Sequence, residues 1–276
     1  MPNKCAVITG AGSGIGRELA LQLAARGARL ALADIDAQGL GETLNQARLL
    51  GAGQQLGQTL DVSDEAQVNA FAEQVQRELG GVDVLINNAG VTRFGDFAST
   101  SPAAFRQVLD INFWGVVHGS RAFLPALRAS RGSLVNISSL FGLIGVAGQA
   151  HYCASKFAVR GFTESLRQEL KADGVHVACV HPGGVRTRIA RSALFDQAVD
   201  DPQALVERLE RNTLKLPAET AARLILEGIR QRRERILIGN DAKLADLLQR
   251  LLPRAHSELI HRLLGKASGQ PRKVSP

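Results

Sequence analysis

Short apolar runs alternate with stretches of helical periodicity along nearly the whole chain, and that alternation leaves few architectures open. Strand-like segments fall near 4–9, 29–34, 55–60, 83–86, 132–138, 175–181 and 235–238. Helix-length patterns fill the gaps, among them 14–27, 64–79, 102–129 and 151–172. Val82-Asp-Val-Leu-Ile86 and Leu134-Val-Asn-Ile137 suit strands buried on both sides. Right-handed crossovers then give an α/β fold with a doubly wound parallel sheet of about seven strands, whose ligands gather at the carboxyl ends of the strands.

The 276 residues, 45% hydrophobic and 21% charged, bury a sizeable core and fit one domain rather than two. The expected division is a catalytic domain over 1–240, a helical extension over 241–267 and a flexible tail over 268–276. No apolar run reaches the ~18 residues of a membrane span. The first strand begins within a few residues of Met1, which leaves no room for a secretory leader. Three widely spaced cysteines, Cys5, Cys153 and Cys179, form neither a disulfide framework nor a zinc motif, and a reducing cytoplasm fits them. No metal is expected: His256 and His261 are five apart, a poor ligand spacing, and His151 reads as a lining residue.

The net charge of +7 is unevenly placed. Residues 1–204 hold 18 Lys and Arg against 18 Asp and Glu, so the excess belongs to residues 205–276, with 15 against 8. No recognition motif or aromatic set accompanies it, so a solvated basic face is preferred to a nucleic-acid site.

The first strand runs into Thr9-Gly-Ala-Gly-Ser-Gly-Ile-Gly16 and then a helix. Gly10, Ser13, Gly14, Ile15 and Gly16 thus form a tight turn where backbone approaches a pyrophosphate at a helix N-terminus. The spacing Gly10-xxx-Gly14-x-Gly16 departs from the common GxGxxG, and an ordinary tight turn is the alternative. Asp34 ends the second strand 18 residues after Gly16 and is followed by Ile35. A carboxylate there accepts hydrogen bonds from ribose hydroxyls and repels a 2′-phosphate, so NAD is expected over NADP. Arg17 is the one cation near enough to argue otherwise, though by position it turns into the helix.

Tyr152-Cys-Ala-Ser-Lys156 sets two ionisable groups one turn apart on the same helix face. A free tyrosine ionises near pH ~10, too high for a base at neutral pH. A neighbouring ammonium favours phenolate, and a fall of about three units is worth roughly 4 kcal/mol. A surface Tyr–Lys pair is the plain alternative. Upstream, Leu134-Val-Asn-Ile-Ser-Ser139 ends a buried strand in two hydroxyls, Asn87-Asn-Ala-Gly90 ends another, and Asn112 lies in the long helix that follows.

With these motifs in this order, residues 4 to about 240 resemble the short-chain dehydrogenase/reductase family, in its compact single-domain, Rossmann-like branch. The resemblance implies Tyr152 as general acid/base, Lys156 as the residue that binds the nicotinamide ribose and lowers the tyrosine pKa, and Ser139, rather than Ser138, at the substrate oxygen. It implies that Asn112 holds a water linking Lys156 to solvent. On the cofactor side it implies Asp61 and Val62 at the adenine, Asn88, Ala89 and Gly90 beside the adenosine ribose, and Pro182, Gly183 and Val185 through Thr187 at the carboxamide. The reaction it implies is hydride transfer between a nicotinamide and a secondary alcohol or ketone, with a homodimer or homotetramer built on helices 102–129 and 151–172. A dinucleotide sensor without activity is the rival reading, and such a protein usually lacks the tyrosine or the lysine.

The substrate pocket is expected to draw on Phe94, Leu140, Phe141, Ile144 and Val146, and on a mobile lid over 186–215 that includes Ile189, Leu194 and Phe195. These are mostly apolar and suit an apolar small-molecule alcohol or ketone. Reduction of a 3-oxoacyl group on an acidic carrier protein is the alternative, favoured by the basic C-terminal quarter and opposed by Asp34. Leu244, Leu247, Leu248, Leu251 and Leu252 follow one helix face, and Leu259, Ile260, Leu263 and Leu264 repeat it after Pro253. A cap packed on the core is expected there, ahead of a subunit contact or a membrane-surface helix.

Overall fold

The computed structural model describes residues 3–196 and 199–255. Seven parallel strands form its main sheet: β1 (Cys5–Thr9), β2 (Arg29–Asp34), β3 (Gln55–Thr59), β4 (Val84–Asn87), β6 (Ser133–Ile137), β7 (His176–Pro182) and β11 (Arg235–Ile238). Their spatial order is β11-β7-β6-β4-β1-β2-β3, every neighbouring pair parallel. The order reverses direction between β1 and β4, so loops after these strands diverge and open a crevice at their carboxyl ends. This is the doubly wound, Rossmann-like sheet that the alternating sequence predicts.

The short strands β5 (Arg93–Phe94) and β9 (Leu194–Phe195) pair outside the main sheet, as do β8 (Val185–Arg186) and β10 (Leu216–Pro217). Helices α1 (Gly14–Ala24), α2 (Ala37–Leu49), α3 (Glu65–Leu79), α4 (Pro102–Leu109), α5 (Gly115–Ser130), α6 (Ala150–Glu169), α7 (Pro202–Asn212), α8 (Ala218–Arg230) and α9 (Asn240–Leu251) complete the described chain. Strand residues alternate between two cores. Ile8, Leu30, Leu32 and Ile86 pack towards α1 and α8, whereas Val7, Ala31, Leu85 and Leu134 pack towards α3 and α5. Asp36, Asp64, Ser101 and Asp201 cap α2, α3, α4 and α7 through side-chain acceptors.

Two sequence expectations are corrected here. The helix expected over 102–129 is interrupted by a π-helical turn, Asp110–Trp114, between α4 and α5. One extra residue in the helix turns Asn112, wholly buried, inward. The leucine stripe of α9 is not its packed face. Ala242, Ala245 and Asp246 are buried with Leu248 beside them, while Leu244, Leu247 and Leu251 are at least half exposed. Two small alanines let the helix approach closely, and Asp246 is held by Arg235. The second leucine pattern, Leu259 to Leu264, and the expected tail lie outside the described residues. Stretch 186–215, expected as a mobile lid, begins at the end of β8 and contains β9 and α7.

Candidate active site

The turn between β1 and α1 is shaped by close approach. Gly10 adopts φ +66°, and a Cβ there would meet Ala89 Cα at 2.8 Å. A Cβ on Gly16 would lie 2.0 Å from the Gly10 carbonyl oxygen, so the helix can begin against the strand only without a side chain. Ser13, the N-cap of α1, makes no side-chain cap bond, in contrast to the caps of α2, α3, α4 and α7. The α1 terminus therefore keeps backbone donors and a positive dipole end for an anion.

Asp34 reaches back across this turn. One carboxylate oxygen accepts the Gly12 N–H at 2.7 Å and the other the Asp36 N–H at 2.9 Å. A carboxylate has about four lone-pair sites, so capacity for ribose hydroxyls remains. Ile35, beside it, is 69% exposed and offers a flat apolar face. Arg17 does not stand free as a 2′-phosphate clamp: its guanidinium donates to the carbonyls of Gly12 and Gly39, to Thr43 and to Glu42. Asn88 donates to the carbonyls of Thr9 and Gly10 at 3.0 Å each, while the Asn88 and Ala89 N–H groups donate to the Thr9 hydroxyl. Asp61 accepts from the N–H and hydroxyl of Ser63, and Val62 is buried. The turn, its uncapped helix and the Asp34 carboxylate together fit a dinucleotide.

Tyr152 and Lys156 lie one turn apart on α6, 8% and 3% exposed. The ammonium stands 5.7 Å from the centre of the tyrosine ring and donates to the Ile137 carbonyl at 3.0 Å. No carboxylate among the described residues pairs with it. Burial without an anion pulls Lys156 down to about 8. Tyr152 moves opposite to the sequence expectation. Burial pushes its phenol up to about 12, and the Ser139 hydroxyl facing it offsets only part of the shift. Desolvation of the phenolate outweighs an ammonium that lies against the ring.

The two serines at the end of β6 separate by role. Ser138 is buried and donates to the Lys156 carbonyl at 2.8 Å, whereas Ser139 caps Phe141 N–H and faces Tyr152. The Asn112 side chain donates to Val91 O and Ser155 Oγ and accepts from Val91 N, which leaves one Oδ1 lone pair. Gly90 sits between Asn112 Oδ1 and Lys156 Nζ.

Gly90, Ser138, Ser139, Tyr152 and Lys156 line one cavity of about 690 Å³ that extends from Ile15 and Asn88 to α7. Pro182, Gly183, Val185 and Thr187, at and after the end of β7, line it. Phe94, Leu140, Phe141, Val146 and Ile189 line it, but Ile144 is buried under α9 and neither Leu194 nor Phe195 reaches it. Phe195 instead stacks on Phe94, with centroids 5.7 Å apart. β9 is fastened by Asp196, which pairs with Arg93 at 2.7 Å and accepts from Thr100. Sequence reasoning missed this clamp, Gln149, which donates to Arg93 O at 2.6 Å, and Arg208, which lines the cavity from α7. Only Arg208 carries a readable signal: it shares one helix face with Ala204, Leu205 and Leu209.

Among the described residues no helix is long and apolar enough to cross a membrane and no His, Cys, Asp and Glu cluster could hold a metal. The family model described as short chain dehydrogenase matches residues 4–198. The putative oxidoreductase SadH of Mycobacterium tuberculosis is 45% identical over 260 residues, covering 93% of this chain and 94% of that protein. Human epidermal retinol dehydrogenase 2 is 44% identical over 185 residues, 66% of this chain and 60% of its own length. A crystal structure of a short chain dehydrogenase/reductase from Burkholderia phymatum in complex with NAD superposes with a TM-score of 0.82 at 33% identity, covering 99% of both chains.

Proposed function

The chain belongs to the short-chain dehydrogenase family and is an oxidoreductase, and on that premise we propose that it interconverts a secondary alcohol and a ketone on a largely apolar substrate with NAD as cofactor. The observation that carries this reading is the meeting of Ser139, Tyr152 and Lys156 in the wall of a mostly apolar cavity. When bound, the nicotinamide supplies or accepts the hydride. Everything else falls to side chains. Ser139 donates to the substrate oxygen and stabilises charge as it develops. Tyr152, a phenol that burial pushes up to about 12, gives its proton to the oxygen of a ketone. Lys156 lies beside the phenol and the ribose site. In the same reading a water held by Asn112 links it to solvent.

Asp34 supports NAD: a 2′-phosphate would meet its carboxylate, and Arg17 is neutralised by Glu42. The NAD in the Burkholderia structure agrees with this choice. The retinol named in the human relative agrees with an apolar alcohol. An oligomer built on α5 and α6 is part of the same reading, because Trp114 and Phe157 stand 48% and 39% exposed there.

A ketone panel assayed with NADH and with NADPH tests the proposal. Tyr152→Phe should lose about 10²- to 10⁴-fold in kcat while NADH still quenches the protein's fluorescence. NADH should exceed NADPH in kcat/KM. A Tyr152→Phe protein as fast as its parent, or a parent that reduces no ketone, refutes the reaction; a reversed preference refutes the cofactor.

A further inference from the structure

Helix α7 covers the cavity without burying any of its own residues. Ala204, Leu205, Arg208 and Leu209 recur at the spacing of one helix face, and all four line the cavity. Three are apolar and the fourth is an arginine. Its Nε is closed off from solvent and meets no hydrogen-bond partner. Among the described residues it enters no ion pair, whereas nearby arginines do: Arg93 has Asp196, and Arg191 has Glu210 of α7 itself. A guanidinium stem packed along apolar surface with its head in bulk water would keep its nitrogens hydrated. Here one is already desolvated inside the wall. A cation so placed gains most from an anion that enters with the ligand.

We infer that Arg208 determines substrate specificity, by binding a carboxylate carried by the apolar alcohol or ketone at a distance from its reacting carbon. The inference rests on the alcohol–ketone reading and names the substrate class within it: an oxo or hydroxy acid with its oxygen at Tyr152 and its carboxylate at α7. Charge argues for a carboxylate over a phosphate. Asp96, Asp200 and Asp201 line the same cavity, and a dianion would face all three. A planar single charge matches the guanidinium fork and meets less repulsion.

The test is reduction of 7-oxooctanoate against its methyl ester by the parent, Arg208→Met and Arg208→Lys, read as the ratio of kcat/KM for acid over ester. The parent ratio should be about 10 or more, as a charge-assisted hydrogen bond implies. Arg208→Met should bring it to about 1, with the change carried by KM, and Arg208→Lys should restore part of it. A parent ratio near 1, or one that Arg208→Met leaves alone, overturns the inference while ketone reduction stands. If neither ketone is reduced, the underlying reading fails, and calorimetric titration of the parent with octanoate, octanol and octyl phosphate in the presence of NAD still decides. Octanoate binding about 10-fold tighter than octanol, lost in Arg208→Met, supports the site; equal binding, or tighter binding of the phosphate than of octanoate, overturns it.

Discussion

Lys156 is an ammonium placed where water scarcely reaches and where, among the described residues, it donates to one carbonyl, that of Ile137. Its folded pKa, about 8, lies below the 10.5 of the free side chain. Between those values the unfolded chain binds more protons than the folded one, so the residue's penalty on folding is full below pH 8 and fades as pH rises towards 10.5. Lys156→Met should therefore be more stable than the parent at pH 7 by on the order of 2 kcal/mol. The gain should shrink by pH 10, which paired urea unfolding curves at the two pH values measure. A methionine variant less stable than the parent at pH 7 would show that the ammonium is better compensated than its surroundings indicate. The Tyr152–Lys156 pair was legible in the sequence, because spacing of four places two side chains on one helix face. The direction of the tyrosine shift was not. It depends on how dry the site is, and dryness is a property of Phe141 edge-on at 6.0 Å and of the neighbouring loops.

At the scale of elements, β1, β2, β4, β6 and β7 were readable because each is a short, mostly apolar run buried on both faces, whereas the edge strands β3 and β11 are only partly buried. The smaller elements were not. β5 and β9 are two residues each, too short for any period, and they exist because Asp196 joins Arg93 and Thr100 across them. Asp196→Asn leaves Arg93 largely buried without its anion, a change that costs about 3 kcal/mol in comparable sites. The expected outcome is local opening: the N–H groups of Leu194 and Asp196, which donate to Thr92 O and Phe94 O, should exchange with solvent at least about 10-fold faster. Hydrogen-exchange mass spectrometry reads this, with amides of β1 and β4 as the unchanged reference. Loss of protection across the whole sheet would instead make the pair a global support. α7 escaped notice for a related reason. It buries none of its residues, so its apolar face serves the cavity rather than the core. α9 misled in the other direction, since leucines dominate a periodicity count while alanines make the contact.

For the whole molecule, the aromatic surface on the π-helical turn and α6 is its most exposed apolar feature near the helices expected to pair subunits. Phe113 meets Trp114 and Phe162 edge-on, and Trp114 and Phe157 remain open to solvent. A Trp114→Glu, Phe157→Glu double variant should elute as a monomer where the parent elutes as a dimer or tetramer, by light scattering behind size exclusion. A parent that is monomeric at micromolar concentration removes this face from the argument. The sheet has a different consequence. β1, the first strand in chain order, lies inside it with β2 on one side and β4 on the other, whereas β11, the last, borders β7 alone. Half of the partners of β1 are therefore some eighty residues away in sequence and reach it only after three crossovers, through α1, α2 and α3. A growing chain must hold this buried, mostly apolar strand half-paired through that interval, with the β4 side of its ladder uncovered. Assembly of this molecule is exposed at its centre first and sealed at its edge last, which makes the opening strand, and not the catalytic helix, the place where a folding helper would matter most.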